Sequence, residues 1–241
     1  MEKLDVHKQV IYYTDCRLGE PLWSLAQRYI KASGLPIVSC SLGKPIDFGE
    51  NYVVGGNRGW GTMARQIIVA LEHSTADYVF FAEHDILYHK SHFAFTPPRD
   101  DTYYYNAHTW RWKFPEDHAI TYDRMISLSG LCANRELVLD HFRRRIQKAT
   151  EKGYDIEASR EPAWARKWGY EPGTKMKRRG GFSDEPYDVW YSEFPNIDIR
   201  HDKTLSVPKT TQEEFKHPPT GWIEYPIEEI PGWNLKKLFQ L

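Results

Sequence analysis

The chain has 241 residues, and its 32 Lys and Arg against 33 Asp and Glu give a formal net charge of -1. This balance excludes a uniformly basic nucleic-acid binder, and a hydrophobic content of 41% excludes wholesale disorder. The 11 Phe, 15 Tyr and 9 Trp residues are unusually many. Such rings either fill a core or stack on flat ligands such as sugars and bases.

The sequence has few features that indicate targeting, a membrane span or disulfide bonds. Charges run through residues 1–8, and no apolar run approaches the roughly 18 residues that a membrane-spanning helix needs. The three cysteines, Cys16, Cys40 and Cys132, are widely spaced and match neither a disulfide framework nor a CxxC zinc site. We therefore expect a cytoplasmic protein with reduced cysteines and no membrane partner.

The first third of the chain alternates strand-like and helix-like segments. Residues 9–13 and 36–40 predict two strands, with a helix between them over residues 22–30. A loop rich in Gly and Asn then leads into a second helix at residues 63–71 and a buried strand at residues 78–82. This βαβ…αβ order predicts an α/β fold with a mostly parallel central sheet flanked by helices.

Polar residues follow the predicted strands of this sheet. Thr14 and Asp15 end the first strand, and Glu83, His84 and Asp85 end the last. Ligands of open parallel sheets bind beyond the carboxyl ends of the strands. We therefore expect these residues and the glycine loop to converge on one edge.

The second half of the chain does not continue the regular alternation of strands and helices. Strand-like pieces at residues 103–107 and 126–132 precede a helix that Asn134 caps and Gly153 ends. Residues 162–241 predict an irregular region with short elements only. The aromatic segment 103–112 either stacks on a sugar or an extruded base or belongs to the core.

One run of residues carries a family resemblance. The loop and helix start of residues 57–66, the next strand and the triplet Glu83-His84-Asp85 together resemble the nucleotide-sugar half of the GT-A-fold glycosyltransferases. The resemblance spans roughly residues 8–90, with an echo at residues 196–201. It implies a single GT-A-like, Rossmann-type domain over residues 1–241, with a nucleotide-sugar half (about 1–95) and an irregular, aromatic-rich acceptor half (about 96–241).

The resemblance also implies a metal site. Two acidic side chains at positions i and i+2 can reach one cation, and Mn²⁺ or Mg²⁺ would hold the diphosphate of the donor. Asp85 is the strongest ligand, Glu83 binds directly or through water, and His201 completes the site. The alternatives are an acidic loop that only caps a strand and a surface histidine.

Donor binding is implied for a further set of residues. Thr14 and Asp15 would meet the base and ribose, the loop backbone would approach the ligand closely, and Arg65 would face the diphosphate or the triplet. Glu83 and His84 lie beside the same ligand, for which a UDP-sugar is favoured. The donor-binding residues are thus Thr14, Asp15, Gly56, Asn57, Arg65, Glu83 and His84.

The catalytic base is the least determined residue. An inverting transferase needs a carboxylate within hydrogen-bond reach of the acceptor hydroxyl, and Asp184, Glu185 and Glu171 are the candidates. The family places its base before the late histidine, which Asp184 and Glu185 satisfy. A retaining enzyme would need no such base.

The acceptor prediction rests on charge. Residues 135–179 hold 13 basic and seven acidic residues, a net charge of +6, which is typical of a surface that meets a phosphate backbone or of a solvated helix face. The chain also resembles small phage-type members of the family that are proposed to glycosylate hydroxymethylated DNA bases, which would place it in the host cytoplasm. The leading acceptor is 5-hydroxymethylcytosine in phage DNA. The alternatives are a glycan or small-molecule acceptor, and a non-catalytic nucleotide- or carbohydrate-binding module.

Overall fold

The computed structural model describes residues 6–157, 171–174, 186–204 and 209–240. In these residues twelve strands form two sheets, accompanied by four α-helices. The strands are β1 (Lys8–Thr14), β2 (Ile37–Leu42), β3 (Glu50–Val54), β4 (Tyr78–Glu83), β5 (Ile86–Leu87), β6 (Tyr103–Asn106), β7 (Thr109–Lys113), β8 (His118–Thr121), β9 (Leu131–Asn134), β10 (Tyr187–Trp190), β11 (Asn196–Arg200) and β12 (Ile223–Pro226). The helices are α1 (Leu22–Lys31), α2 (Trp60–His73), α3 (Arg135–Glu151) and α4 (Leu235–Phe239).

The central sheet has the strand order β10-β6-β9-β4-β1-β2-β3. β1 runs parallel to both β2 and β4, β2 runs parallel to β3, and β6 runs parallel to β10. Only β9 is antiparallel to its neighbours β4 and β6. The predicted α/β class with a mostly parallel central sheet is therefore confirmed. The chain builds outward from β1 through β2 to β3 and then returns to place β4 on the other side of β1, so the strand order reverses between β1 and β4.

Alternating side chains of the central strands pack against different helices, as the period of a strand requires. Ile11 and Phe81 belong to one core cluster with Ile67 of α2 and Phe142 of α3. Tyr12 and Phe80 belong to a second cluster with Ile30 of α1. Both faces of β1 and β4 are thus covered, and their carboxyl ends remain the place where polar groups emerge.

The second sheet has the order β12-β8-β7-β11-β5. Its strand β5 begins two residues after β4 ends and pairs antiparallel with β11. The short connection between the two sheets contains His84 and Asp85. The second sheet therefore brings the end of β11 to the carboxyl edge of the central sheet.

Most predicted elements of the first third are confirmed with small shifts of their ends, and Asn134 caps α3 by accepting hydrogen bonds from the backbone of Glu136 and Leu137. The strand expected over residues 126–132 was wrong, since Leu128–Gly130 form a 3₁₀ turn and β9 begins afterwards. Among its described residues, the region expected to be irregular from residue 162 contains the short elements β10, β11, β12 and α4, which agrees with the expectation of short elements only.

The aromatic segment 103–112 is core. Tyr103 and Tyr105 of β6 and Trp112 of β7 have no exposed surface, and Trp110 is 5% exposed. The segment therefore offers no stacking surface. No helix among the described residues combines the length and the apolar character needed to cross a bilayer.

Candidate functional site

The candidate site lies at the carboxyl end of β4, next to β1. Asp85 sits between β4 and β5, and its carbonyl oxygen accepts a hydrogen bond of 2.9 Å from the backbone N–H of Ile199 in β11. His201 follows β11 directly. The pairing of β5 with β11 therefore places His201 opposite Asp85, although 116 positions separate them in the sequence.

Three side chains converge at this point. One ligand atom each of His84, Asp85 and His201 lie within 4.8 Å of one another, which is the arrangement of a candidate metal site. Nε2 of His201 is 3.6 Å from Oδ2 of Asp85 and is buried without a hydrogen-bond partner among the described residues. A buried ring nitrogen beside a carboxylate fits a cation ligand.

The charge of Asp85 is maintained despite its burial. Burial alone would raise the pKa of this carboxyl, but the contact with His201 and the electrostatic influence of His84 and Arg200 outweigh it and lower the pKa. Arg200 is held in turn by the buried Asp198, which also pairs with Arg111 at 3.4 Å. Asp85 is therefore an ionised oxygen donor at neutral pH.

Glu83 is not a member of this group. Its carboxyl oxygen accepts a hydrogen bond of 2.5 Å from the hydroxyl of Tyr13 in β1. Burial and the negative charge of Asp85 raise the pKa of Glu83 to about 8, so the carboxyl is mostly protonated at neutral pH. Coordination by Glu83 stays a prediction, and the structure places its carboxyl against Tyr13.

The end of β1 contributes Thr14 and Asp15. The hydroxyl of Thr14 lies 2.8 Å from Nδ1 of His84 and accepts a hydrogen bond from the backbone N–H of Cys16. Asp15 accepts a hydrogen bond from Nε of Arg58, and its Oδ1 is 4.0 Å from Nε2 of His84. Both predicted nucleoside-binding residues thus lie beside the candidate metal site.

Arg58 is a residue that the sequence analysis did not single out. Besides binding Asp15, its Nη2 donates a 2.6 Å hydrogen bond to the carbonyl of Lys203. Lys203 in turn donates through Nζ to the carbonyl of Arg17. The glycine loop, the end of β1 and the segment after β11 are therefore tied together over the site. In the sequence, the position of Arg58 next to Asn57 was the signal that could have identified it.

The glycine loop follows β3 and leads into α2. Gly56 has φ of 107°, which favours glycine. The backbone N–H of Asn57 lies 3.4 Å from Oε2 of Glu157, and Arg65 forms a 2.6 Å ion pair with the same carboxylate. Arg65 thus faces Glu157, and its contact with a diphosphate stays a prediction.

Of the three candidate bases, only Glu171 lies among the residues that the structure describes. Asp184 and Glu185 lie outside the described residues. Glu171 lies in a turn whose next residue, Pro172, accepts a hydrogen bond from the hydroxyl of Tyr105. That tyrosine is in β6, two strands from β4 in the central sheet.

A cavity of about 530 Å³ opens beside Cys16, the residue that follows Asp15. It lies between α1 and the connections that follow β1 and β2, and its size falls within the range of small-molecule sites. Trp23 and Gln27 of α1 contribute to one wall. The remaining lining residues are Cys16, Leu18, Gly19, Glu20, Lys44, Pro45, Ile46 and Asp47.

Comparison with known proteins gives matches in structure only. No protein-family model and no curated protein sequence matches the chain. A cytidylyltransferase for 2-C-methyl-D-erythritol 4-phosphate from Thermus thermophilus is 12% identical with a TM-score of 0.40, over 78% of this chain and 89% of that one. The glycosyltransferase GlyE of Streptococcus pneumoniae is 10% identical with a TM-score of 0.34, over 66% and 46%. A Drosophila β1,4-galactosyltransferase 7, bound to manganese, UDP-Gal and xylobiose, is 15% identical with a TM-score of 0.32, over 66% of each chain.

Proposed function

We propose that this chain is a metal-dependent glycosyltransferase that moves a sugar from a nucleoside-diphosphate sugar to a hydroxyl acceptor. The observation that supports this most is the convergence of His84, Asp85 and His201 where the strand order of the sheet reverses. Reversal points of parallel sheets are where such folds bind nucleotides. A cation there would lie beside Thr14 and Asp15, which we assign to the nucleoside.

The donor side uses residues 1–95 in this proposal. The cavity beside Cys16 offers space for part of the nucleoside, since Cys16 directly follows Thr14 and Asp15, the residues assigned to base and ribose. The backbone of Gly56 and Asn57 and the guanidinium of Arg65 would bind the diphosphate. Arg65 would then exchange its present partner Glu157 for phosphate oxygens. UDP-sugars are the favoured donors.

The metal would be Mn²⁺ or Mg²⁺, held by Asp85 and His201. Such a cation acts as a Lewis acid on the leaving nucleoside diphosphate, whose charge grows as the glycosidic bond breaks. Asp85, ionised and buried, supplies negative charge for the cation. Glu83 would contribute to donor binding through its hydrogen bond with Tyr13, which fixes the ends of β4 and β1 against each other.

The acceptor side uses residues 96–241, and its chemistry is the open part of the proposal. An acceptor hydroxyl would lose its proton to Asp184, Glu185 or Glu171 if the reaction inverts configuration. The leading acceptor from the sequence is 5-hydroxymethylcytosine in phage DNA. Of the basic residues assigned to DNA, Arg135, Arg143 and Arg144 form ion pairs with acidic neighbours, and Arg145 is buried. These contacts weaken the case for DNA as the acceptor, compared with a glycan or a small molecule.

The test is a transfer assay. The protein would be incubated with Mn²⁺, a panel of nucleotide sugars and DNA that carries 5-hydroxymethylcytosine, with unmodified DNA as the matched control and oligosaccharides as alternative acceptors. Mass spectrometry reads the added hexose. We expect one donor to give a product that Asp85→Asn, which removes the charge at nearly constant size, does not form. Product on oligosaccharides alone would contradict the DNA acceptor. No product and no released nucleoside diphosphate with any donor would contradict the enzyme and favour a binding module.

A further inference from the structure

His84 is the middle residue of an acid–x–acid motif, between Glu83 and Asp85. In such a motif the two acidic residues, not the middle one, are the expected cation ligands. The ring of His84 nevertheless meets Asp85 and His201 in the three-residue group. We propose that His84 is a protein ligand of the cation, and that the site consequently selects a nitrogen-accepting transition cation such as Mn²⁺ or Co²⁺ over Mg²⁺. The inference rests on the metal site of the proposed function and specifies its ligands.

The ring of His84 is held in one orientation. The Thr14 hydroxyl lies 2.8 Å from Nδ1, and a hydroxyl oxygen has two lone pairs, so it can accept from Nδ1 as well as from the Cys16 N–H. Nε2 is then the nitrogen that presents a lone pair. Histidine ligands in proteins are commonly fixed through their second ring nitrogen in this way. The side chain is 16% exposed, so the ring is largely buried while one part of it still reaches the surface.

The carboxyl group that the motif provides for the cation is engaged elsewhere. Glu83 forms a 2.5 Å hydrogen bond with Tyr13 of the neighbouring strand. The register of the two strands pairs Tyr13 with Glu83 directly, so this contact is built into the sheet. The donor set near Asp85 therefore holds one carboxylate and two imidazoles.

Donor chemistry then decides the metal. Mg²⁺ prefers oxygen ligands in a near-octahedral arrangement and keeps its waters. Imidazole nitrogen suits first-row transition cations, whose affinities rise from Mn²⁺ to Co²⁺. A site with two nitrogen donors and one carboxylate should thus discriminate strongly against Mg²⁺. The buried, unpartnered Nε2 of His201 supports this assignment independently of His84.

The test measures metal binding without nucleotide, by calorimetry and by the visible absorption of bound Co²⁺. For the wild type we expect Mn²⁺ to bind at least about 10-fold more tightly than Mg²⁺. His84→Gln should weaken Mn²⁺ binding by roughly 10- to 100-fold and change the Co²⁺ spectrum. His84→Asp should reduce the difference in binding affinity between Mn²⁺ and Mg²⁺, because it replaces a nitrogen ligand by an oxygen ligand. His73→Gln, at an exposed histidine of α2 outside the site, is the matched control and should bind Mn²⁺ like the wild type.

Each outcome decides the proposal. Thermal unfolding in EDTA identifies any variant that fails to fold, and His84→Asp then serves as the second variant. Wild-type Mn²⁺ affinity in folded His84→Gln, or equal affinity of the wild type for Mg²⁺ and Mn²⁺, would overturn it. If metal selectivity depends on His84 but no nucleotide sugar is used, the ligand assignment stands and the proposed function alone fails.

Discussion

At the scale of single residues, Gly61 shows how the loop beside the site is built. It lies in the first turn of α2, and a Cβ at this position would lie far closer to the Ile156 carbonyl oxygen than van der Waals contact allows. The backbone around Ile156 cannot move freely, because Glu157 is paired with Arg65. Glycine is therefore needed here for close approach of two backbones.

Replacement of this glycine is the corresponding prediction. Gly61→Ala should destabilise the protein by about 1–3 kcal/mol through overpacking, even though alanine favours the helix. Gly55→Ala is the matched control, since its Cβ would meet no atom within 4 Å, and it should change stability by less than about 0.5 kcal/mol. Urea unfolding measures both. Equal stability of the two variants would contradict the packing of residues 154–157 on α2.

The sequence predicts individual site residues unevenly. Asp85 and His201 are recognisable because acidic triplets after a buried strand and a late histidine form a pattern. Arg58 and Glu157 are not recognisable, because their roles depend on which segments the fold brings over the loop. The direction of the Glu83 carboxyl follows from its register with Tyr13, which no local pattern reveals.

At the scale of elements, local signals account for the elements of the first third. The amphipathic helices α1 and α2 and the buried strands β1, β2 and β4 follow from hydrophobic periodicity. β3 was missed because it is an edge strand with no buried residue, and it lacks a long apolar run. Edge strands carry this weak signal generally.

The second sheet could not be predicted from the sequence either, and the reason differs from the one given for β3. Its strand β5 has two residues, and β11 pairs with β7 across 87 positions of sequence. Such elements exist only because non-local partners stabilise them, as β-propensity depends on the packing of neighbours. The pairing of β5 with β11 brings His201 next to Asp85, so the sequence marks both residues but only the fold shows that they meet.

At the scale of the whole molecule, His92 joins the two sheets. It is fully buried, and its Nδ1 accepts hydrogen bonds from the amide groups of Asn106 in β6 and Asn196 in β11. The rings of Phe80 and Trp190 pack against it. Burial lowers the pKa of His92 to about 3. The imidazole is therefore neutral in the folded protein, and a proton on Nδ1 would face two amide donors.

The pH dependence of stability follows from this pKa. The unfolded chain binds a proton at its ordinary pKa near 6.5, whereas the folded protein does not until about pH 3. The stability from neutral His92 is thus fully present above pH 6.5 and is lost as the pH falls below it, by up to about 1.4 kcal/mol per pH unit. Urea unfolding between pH 7 and pH 5, in EDTA, measures the slope. His92→Asn should reduce the slope, and an unchanged slope would contradict a neutral His92.

The central claim is that the reversal point of the sheet binds a nucleotide through a cation. Thermal unfolding with UDP and Mn²⁺, each alone and together, tests it directly. We predict that UDP stabilises the protein only when Mn²⁺ is present, by about 2.7 kcal/mol at 100 times its dissociation constant. This corresponds to a rise of roughly 5–10 °C in Tm for a chain of this size. Asp85→Asn should abolish the shift. Equal stabilisation by UDP in EDTA, or an unchanged shift in Asp85→Asn, would contradict the account.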